Sequence, residues 1–240
     1  MAQTVVLTQG AYSYSDGGEF TAATSSPTLG IGGYSSYTAN SSVSPNTFQT
    51  FCVQTDVEFT PGTTYSYNTG LSAIGSGQHY LNGYNGSLTV GTAWLYAEFA
   101  SGYLGSTYNY ANSAGGNNRQ TDAGLLQAAI WALQGEAMPN GNYTTPTTVN
   151  NLYYNLAISQ FGSASAAAVA ATTSDNYGVD ILQLSTGPNA AQNQLYYNGS
   201  GTGLTHENAP DHGTTLVLLG LGLSGLAAFG RKFGSFQPAK

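Results

Sequence analysis

"DAGLLQAAIWALQ", residues Asp122–Gln134, decides how the rest of the chain is read. Its periodicity is helical, Thr121 and Asp122 stand before it as a cap, and Gly135 and Pro139 punctuate its end. It also places an amide, Gln127, among Leu125, Leu126, Ile130 and Trp131. An uncharged polar group in so apolar a setting costs free energy unless a partner satisfies it. The search for that partner leads to Cys52, the one cysteine in the chain.

On either side the helical period continues. "GTAWLYAEFASGYL" spaces Trp94, Leu95, Glu98 and Phe99 as a helix does, and "PTTVNNLYYNLAISQF" predicts a third helix opening at Pro146 with Leu152, Leu156 and Ile158 as anchors. Further out, the period falls to two. "TVVLTQ", "NTFQTFCVQTDVEF" and "TTYSYNTG" read as strands before the helices, and "YGVDILQLS" and "NQLYYNG" as closing strands after them. The stretch 164–171 is Ala-rich and reads as either a short helix or a loop. In the Cys52 strand, Phe48, Thr50, Cys52, Gln54 and Asp56 share one face and Phe51 and Val53 the other, and the pattern leaves open which face is core. The expectation is an α+β fold: a β-rich sandwich or barrel-like scaffold over 1–199, with a helical insert at about 90–161.

Composition narrows the class. Only 6% of residues are charged, while 18 Tyr and 9 Phe supply aromatic surface, which is unlike disorder and suits β-rich proteins of cell exteriors. The chain has 11 acidic residues against four basic ones, and of these four only Arg119 precedes the C-terminal tail. A phosphate backbone needs several cations in one patch, so nucleic acid is excluded as a partner. A lone cysteine makes no internal disulfide, and in an exported protein it is a liability unless buried or chemically committed. No metal or cofactor is expected: the acidic residues are scattered, and "DVE" at 56–58 makes no cage.

The two ends differ. Met1 is followed at once by polar "AQTVVLTQG", with neither a basic n-region nor an apolar h-region, so no signal peptide is read there, and "AQ" would suit a mature start. At the other end a spacer and motif, 200–213, precede an apolar run and a short basic tail, 231–240. Leu216–Phe229 as a helix spans about 21 Å, against roughly 30 Å of hydrocarbon. Extending it over 214–230, with Arg231 and Lys232 snorkelling, predicts a thin membrane helix whose basic flank faces the cytoplasm.

Pro210, Asp211, Gly213, the Gly/Leu-rich run and the pair Arg231–Lys232 resemble a PEP-CTERM sorting signal, in its variant with a Val-Pro-Asp-Ser-Gly type motif. Here Ala209 and His212 stand where that variant has Val and Ser. The resemblance implies a Gram-negative exported protein, held at the inner membrane by its C-terminal helix. An exosortase-type enzyme would then process it for the cell surface or an exopolysaccharide matrix or biofilm.

"FCV" around Cys52 and "GLLQAAIW" over Gly124–Trp131 together resemble the thioester domain of bacterial surface adhesins, known for a TQXA-type motif. Gln54 takes the place of a usual acidic residue and Leu126 that of a frequent Thr. "TAWLYAEFASGYL" and "QNQLYYN" also look like segments of thioester-type PEP-CTERM proteins. The resemblance implies that Cys52 and Gln127 form an internal thioester, with Phe51, Ile130 and Trp131 supporting a dry pocket. Such a domain reacts once with an amine or hydroxyl of matrix polysaccharide or of a surface protein. It would be a covalent adhesin or crosslinker, with no turnover enzyme activity and no catalytic residues in the usual sense.

Other readings stay open from the residues alone. Cys52 is also what a buried thiol of a non-covalent structural matrix protein looks like. His79 in "GSGQHYLNGYNG" could pair with Cys52 as a hydrolase dyad. The tyrosines could line a carbohydrate platform.

Overall fold

The computed structural model describes residues 3–14, 17–25, 47–75, 86–104, 107–110, 118–136 and 151–199. Seven strands make one sheet: β1 (Thr4–Tyr14), β2 (Gly17–Thr24), β3 (Thr47–Thr50), β4 (Thr64–Gly70), β5 (Val179–Thr186), β6 (Asn189–Ala190) and β7 (Gln194–Tyr197). The order is β3-β2-β1-β4-β5-β6, with β7 also on β5, and every pairing is antiparallel. Strands β6 and β7 are two parts of one return path, interrupted at residues 191–193. β2, in "GGEFTAAT", and the two-residue β6 are strands that sequence pattern did not single out; in β2 the small residues alternate too weakly.

The two ends of the sheet meet. Beyond β3 the chain runs along β7, where Leu195 N–H donates to Phe51 O at 3.0 Å and Val53 N–H to Asn193 O at 3.1 Å. Between these rungs Cys52 and Gln194 face each other as an isolated antiparallel bridge. Thr50 Oγ1 adds a bond to Leu195 O at 2.6 Å. The sheet therefore closes on itself in a barrel-like circuit, and its seam is at Cys52.

Period two then sorts the side chains. Val5, Leu7, Ala22, Phe48, Tyr65, Tyr67, Leu182, Leu184 and Tyr196 form one cluster built from strands. The alternate positions Phe51, Val53, Val179, Ile181, Leu195 and Tyr197 join a second cluster with the helices. Both faces of the Cys52 strand are thus core, which is why its sequence pattern was ambiguous.

Among the described residues, four helices lie between β4 and β5: α1 (Val90–Ala100), α2 (Asn118–Leu133), α3 (Leu152–Phe161) and the one-turn α4 (Ala164–Ala167). The Ala-rich stretch is therefore helical at its start. Thr89 caps α1 by accepting from Thr92 N at 3.3 Å. A Cβ on Gly91 would meet Ala167 O at 2.7 Å, so α1 and α4 touch backbone to backbone. α3 starts at Leu152, with Asn151 Oδ1 accepting from Tyr153 N and Tyr154 N at 3.0 and 3.1 Å; Pro146, its expected start, lies outside the described residues. That cap sets the phase. Tyr153 and Ala157 are buried, Leu156 and Ile158 are half-buried, and Leu152, an expected anchor, is 45% exposed.

Asp122 is not a cap. It lies inside α2, which is already helical from Asn118, and its carboxylate accepts from Asn109 N at 2.9 Å. No helix among the described residues is long and apolar enough to cross a membrane, and the span expected at 214–230 lies outside them. So do His79, His206, His212 and the sorting-motif residues Pro210, Asp211, Gly213, Arg231 and Lys232.

Candidate functional site: the Cys52 seam under helix α2

Helix α2 crosses β1 and β2 and brings Gln127 directly onto Cys52. Gln127 Oε1 accepts from Cys52 N–H at 3.0 Å, and Gln127 Nε2 donates to Cys52 O at 2.8 Å. Both residues are fully buried. At the seam, the other edge of Cys52 would face a further strand in a wider sheet. The carboxamide of Gln127 takes that place and pairs with both backbone groups. This answers the question the helix posed: the amide buried among apolar residues is satisfied by the backbone of the one cysteine.

One turn earlier, Gly124 packs closely against Tyr14 at the end of β1. A Cβ there would fall 2.7 Å from the ring of Tyr14. Just past the end of α2, Gln134 repeats the device, accepting from Thr89 N at 2.9 Å and donating to Ser87 O at 3.3 Å. Glu136 Oε2 accepts from Thr55 N and Thr55 Oγ1 at 3.2 and 2.9 Å.

The thiol sees other groups. Sγ donates to Gln192 Oε1 at 3.0 Å and accepts from Gln194 Nε2 at 3.5 Å. Gln192 Nε2 is held by Gln54 O at 2.9 Å. The Gln54 side chain accepts from Asn193 N at 3.2 Å and from Asn193 Nδ2, and donates to Ile74 O at 3.2 Å. Gln54, Gln192, Asn193 and Gln194 form a buried shell of amides around one sulfur atom. Burial pushes the Cys52 thiol up to about 12, against the opposing Gln194 N–H. At neutral pH the group is therefore a thiol.

The apolar wall is Phe20, Ala128 and Trp131, with Phe59 edge-on to Phe20 at 4.9 Å between ring centres. Trp131 thus lines the sulfur's pocket. Phe51 and Ile130, grouped with it on sequence, belong to the adjoining helix–sheet core, where Phe51 meets Phe99 edge to face at 5.0 Å. Gln192 and Gln194 were missed as site residues. The signal was present in "QNQ" at 192–194, three amides preceding an apolar strand, but strand amides are ordinarily surface residues and the closure that buries them is a long-range event.

A second anchor holds the other half of α2. Arg119 donates to buried Glu19 through Nε to Oε1 and Nη2 to Oε2, both at 2.9 Å, and Tyr108 O–H also donates to Oε1. Arg119 Nη1 donates to Tyr110 O at 2.6 Å, and its guanidinium lies 4.5 Å from the Tyr12 ring centre. Burial raises the Glu19 carboxyl above its usual range, while Arg119 and Tyr108 oppose the shift.

Among the described residues, no group of three or more His, Cys, Asp or Glu is placed to hold a metal ion. Asp56 and Glu58 are exposed. Tyr65, Tyr67, Tyr96, Tyr108, Tyr153, Tyr196 and Tyr197 are buried, so these tyrosines serve packing and do not form an open platform.

Comparison with known proteins adds the address. The family of the VPDSG-CTERM motif matches residues 210–233. This supports a PEP-CTERM-like sorting signal and marks the chain as an exported, membrane-associated surface protein, consistent with processing by an exosortase-type enzyme. No curated protein and no solved structure matches the chain.

Proposed function

We propose that Cys52 and Gln127 form an internal thioester that attaches this exported surface protein covalently, once, to an amine or hydroxyl nucleophile in the extracellular matrix or on a neighbouring surface. The observation that carries the reading is the clamp on the Gln127 carboxamide by the N–H and C=O of Cys52. An amide is a poor electrophile, and such a reaction needs rigid near-attack placement and a donor at the oxyanion. The Cys52 N–H already sits on Oε1, where negative charge develops when sulfur adds to Cδ. The Cβ of a strand residue leaves roughly perpendicular to the ladder. A sulfur carried on such a Cβ would approach the carboxamide from its face, the side from which a nucleophile adds.

The step balances simply. The Sγ–Cδ bond forms, the Cδ–Nε2 bond breaks, and the thiol proton leaves with the nitrogen as ammonia. The pocket of Phe20, Ala128 and Trp131 excludes the water that would hydrolyse the product. Anchorage through a membrane helix at 214–230, and exosortase cleavage near Pro210–Gly213, complete the proposed route to the surface.

Intact mass of the purified chain tests it. The expected mass is lower than the sequence mass by one ammonia, and methylamine restores it with a methylamide on Gln127. An unshifted mass with Cys52 alkylated after unfolding rejects the reading.

One observation favours a second, non-covalent reading. The Gln127 bonds satisfy the Cys52 backbone like a ladder rung, and Sγ has its own amide partners. A structural matrix protein would need no more, and in that case Cys52→Ala leaves attachment to matrix unchanged.

A further inference from the structure

The amide shell around Cys52 contains one oxygen that is buried without a partner. Gln194 is fully buried, and its Nε2 donates at 3.5 Å both to Sγ and to Gln192 O. Its Oε1 is buried and has no hydrogen-bond partner among the described residues. A buried carbonyl oxygen without a donor costs stability, and an apolar side chain of similar shape would avoid that cost. The fold holds this acceptor in the Cys52–Gln194 bridge, beside the reacting sulfur.

We propose that Gln194 is a specificity-determining residue, whose Oε1 receives an N–H of the nitrogen that leaves or enters at Gln127 Cδ. This rests on the thioester reading. In bond formation the departing ammonia keeps N–H groups, one of which Oε1 accepts. In capture, the nitrogen of a primary amine adds to Cδ, the Cδ–Sγ bond breaks, and one amine proton passes to sulfur to restore the thiol. A second N–H stays on the nitrogen and bonds Oε1 through the transition state. A hydroxyl brings a single proton, which the sulfur takes, and Oε1 gains nothing. A site with a buried acceptor discriminates strongly against a partner lacking the matching donor. Gln194 therefore biases the pocket towards amines over sugar hydroxyls.

The test measures methylamine and glycerol capture by the full chain, each followed by intact mass, for the native protein, Gln194→Leu and Gln194→Met. Both substitutions remove the polar atoms while keeping side-chain bulk. The expected result is an amine-capture rate about tenfold lower in both variants, the loss of one neutral hydrogen bond. Glycerol capture should fall less, because it loses only the Nε2 contact to Sγ that both nucleophiles share, so the ratio of amine to glycerol rates drops. An unchanged ratio of amine to glycerol rates in either folded variant overturns the proposal and leaves the oxygen to a buried water. A native chain that shows no mass loss defeats the thioester reading itself, a result distinct from an unchanged ratio in a chain that does lose ammonia.

Discussion

Helix α2 is fastened to the sheet at two points by opposite means. Near its start, Arg119 and Glu19 make a bidentate ion pair with Tyr108 and Tyr12 packed around it. Two turns on, Gln127 makes an uncharged bidentate contact with the backbone of Cys52. Charges taken out of water must stay paired, so the first fastening is rigid and chemically inert. Neutral amides carry no such obligation. They can surround a thiol without ionising it, and the carbon of one of them stays open to attack. On the thioester reading proposed above, the difference separates a device for stability from a site for chemistry within one helix.

The largest effect is expected where the charged fastening is cut. Glu19→Ala leaves Arg119 buried without its carboxylate and should cost about 3–5 kcal/mol in urea unfolding. Replacing both as Glu19→Leu with Arg119→Met should recover most of that loss. If the single substitution cost no more than a surface mutation, the two fastenings would not differ as described.

The second test reads the neutral fastening through pH. The folded thiol is raised to about 12, above its ordinary value of 9.0. A thiol raised on folding contributes stability that is complete below the unfolded value and is lost as pH climbs towards the folded one. Methylamine-opened protein, with Cys52 free, should lose about 1.4 kcal/mol per pH unit between roughly pH 9 and 12. The thioester form has no thiol to titrate, so the slope attributable to Cys52 should be absent from it. Equal slopes in the two forms would contradict the bond.

The smallest effect lies between the fastenings. Gly124→Ala puts a Cβ 2.7 Å from the Tyr14 ring and 3.2 Å from Tyr14 Cβ, so Tyr14, 36% exposed at the surface, must turn about its Cα–Cβ bond and shift slightly at its base. Better helix propensity, worth up to about 1 kcal/mol, offsets the displacement. Thermal unfolding should shift by under about 1 kcal/mol in either direction, and a larger loss would mean that Tyr14 is held as firmly as the core.

The two fastenings were unequally legible in the sequence. Gln127 stood out because an amide on an apolar helical face demands a partner, and the single cysteine supplied a place to look. Glu19 and Arg119 did not, since a carboxylate in "GGEFTAAT" and an arginine in "GGNNRQTD" read as ordinary surface charges. Their pairing across the fold appears only when β2 meets α2. Element type came through where periodicity was strong, in β1, β4, α1 and α2. In α3 the type also came through but the buried face did not: the Asn151 cap phases the helix so that Tyr153 and Ala157 are buried and Leu152 is exposed. A barrel-like scaffold was one of the two expected, but the place where it closes was invisible, because Cys52 and Gln194 are joined by a long-range bridge that no local pattern encodes.

The seam also has a mechanical meaning. On the thioester reading proposed above, a captured partner would hang from the Gln127 side chain, and the covalent link between helix and sheet at that point would be gone. Tension from a moving surface would then enter through α2 alone, and the Arg119–Glu19 clasp, lying along the same helix, would bear it.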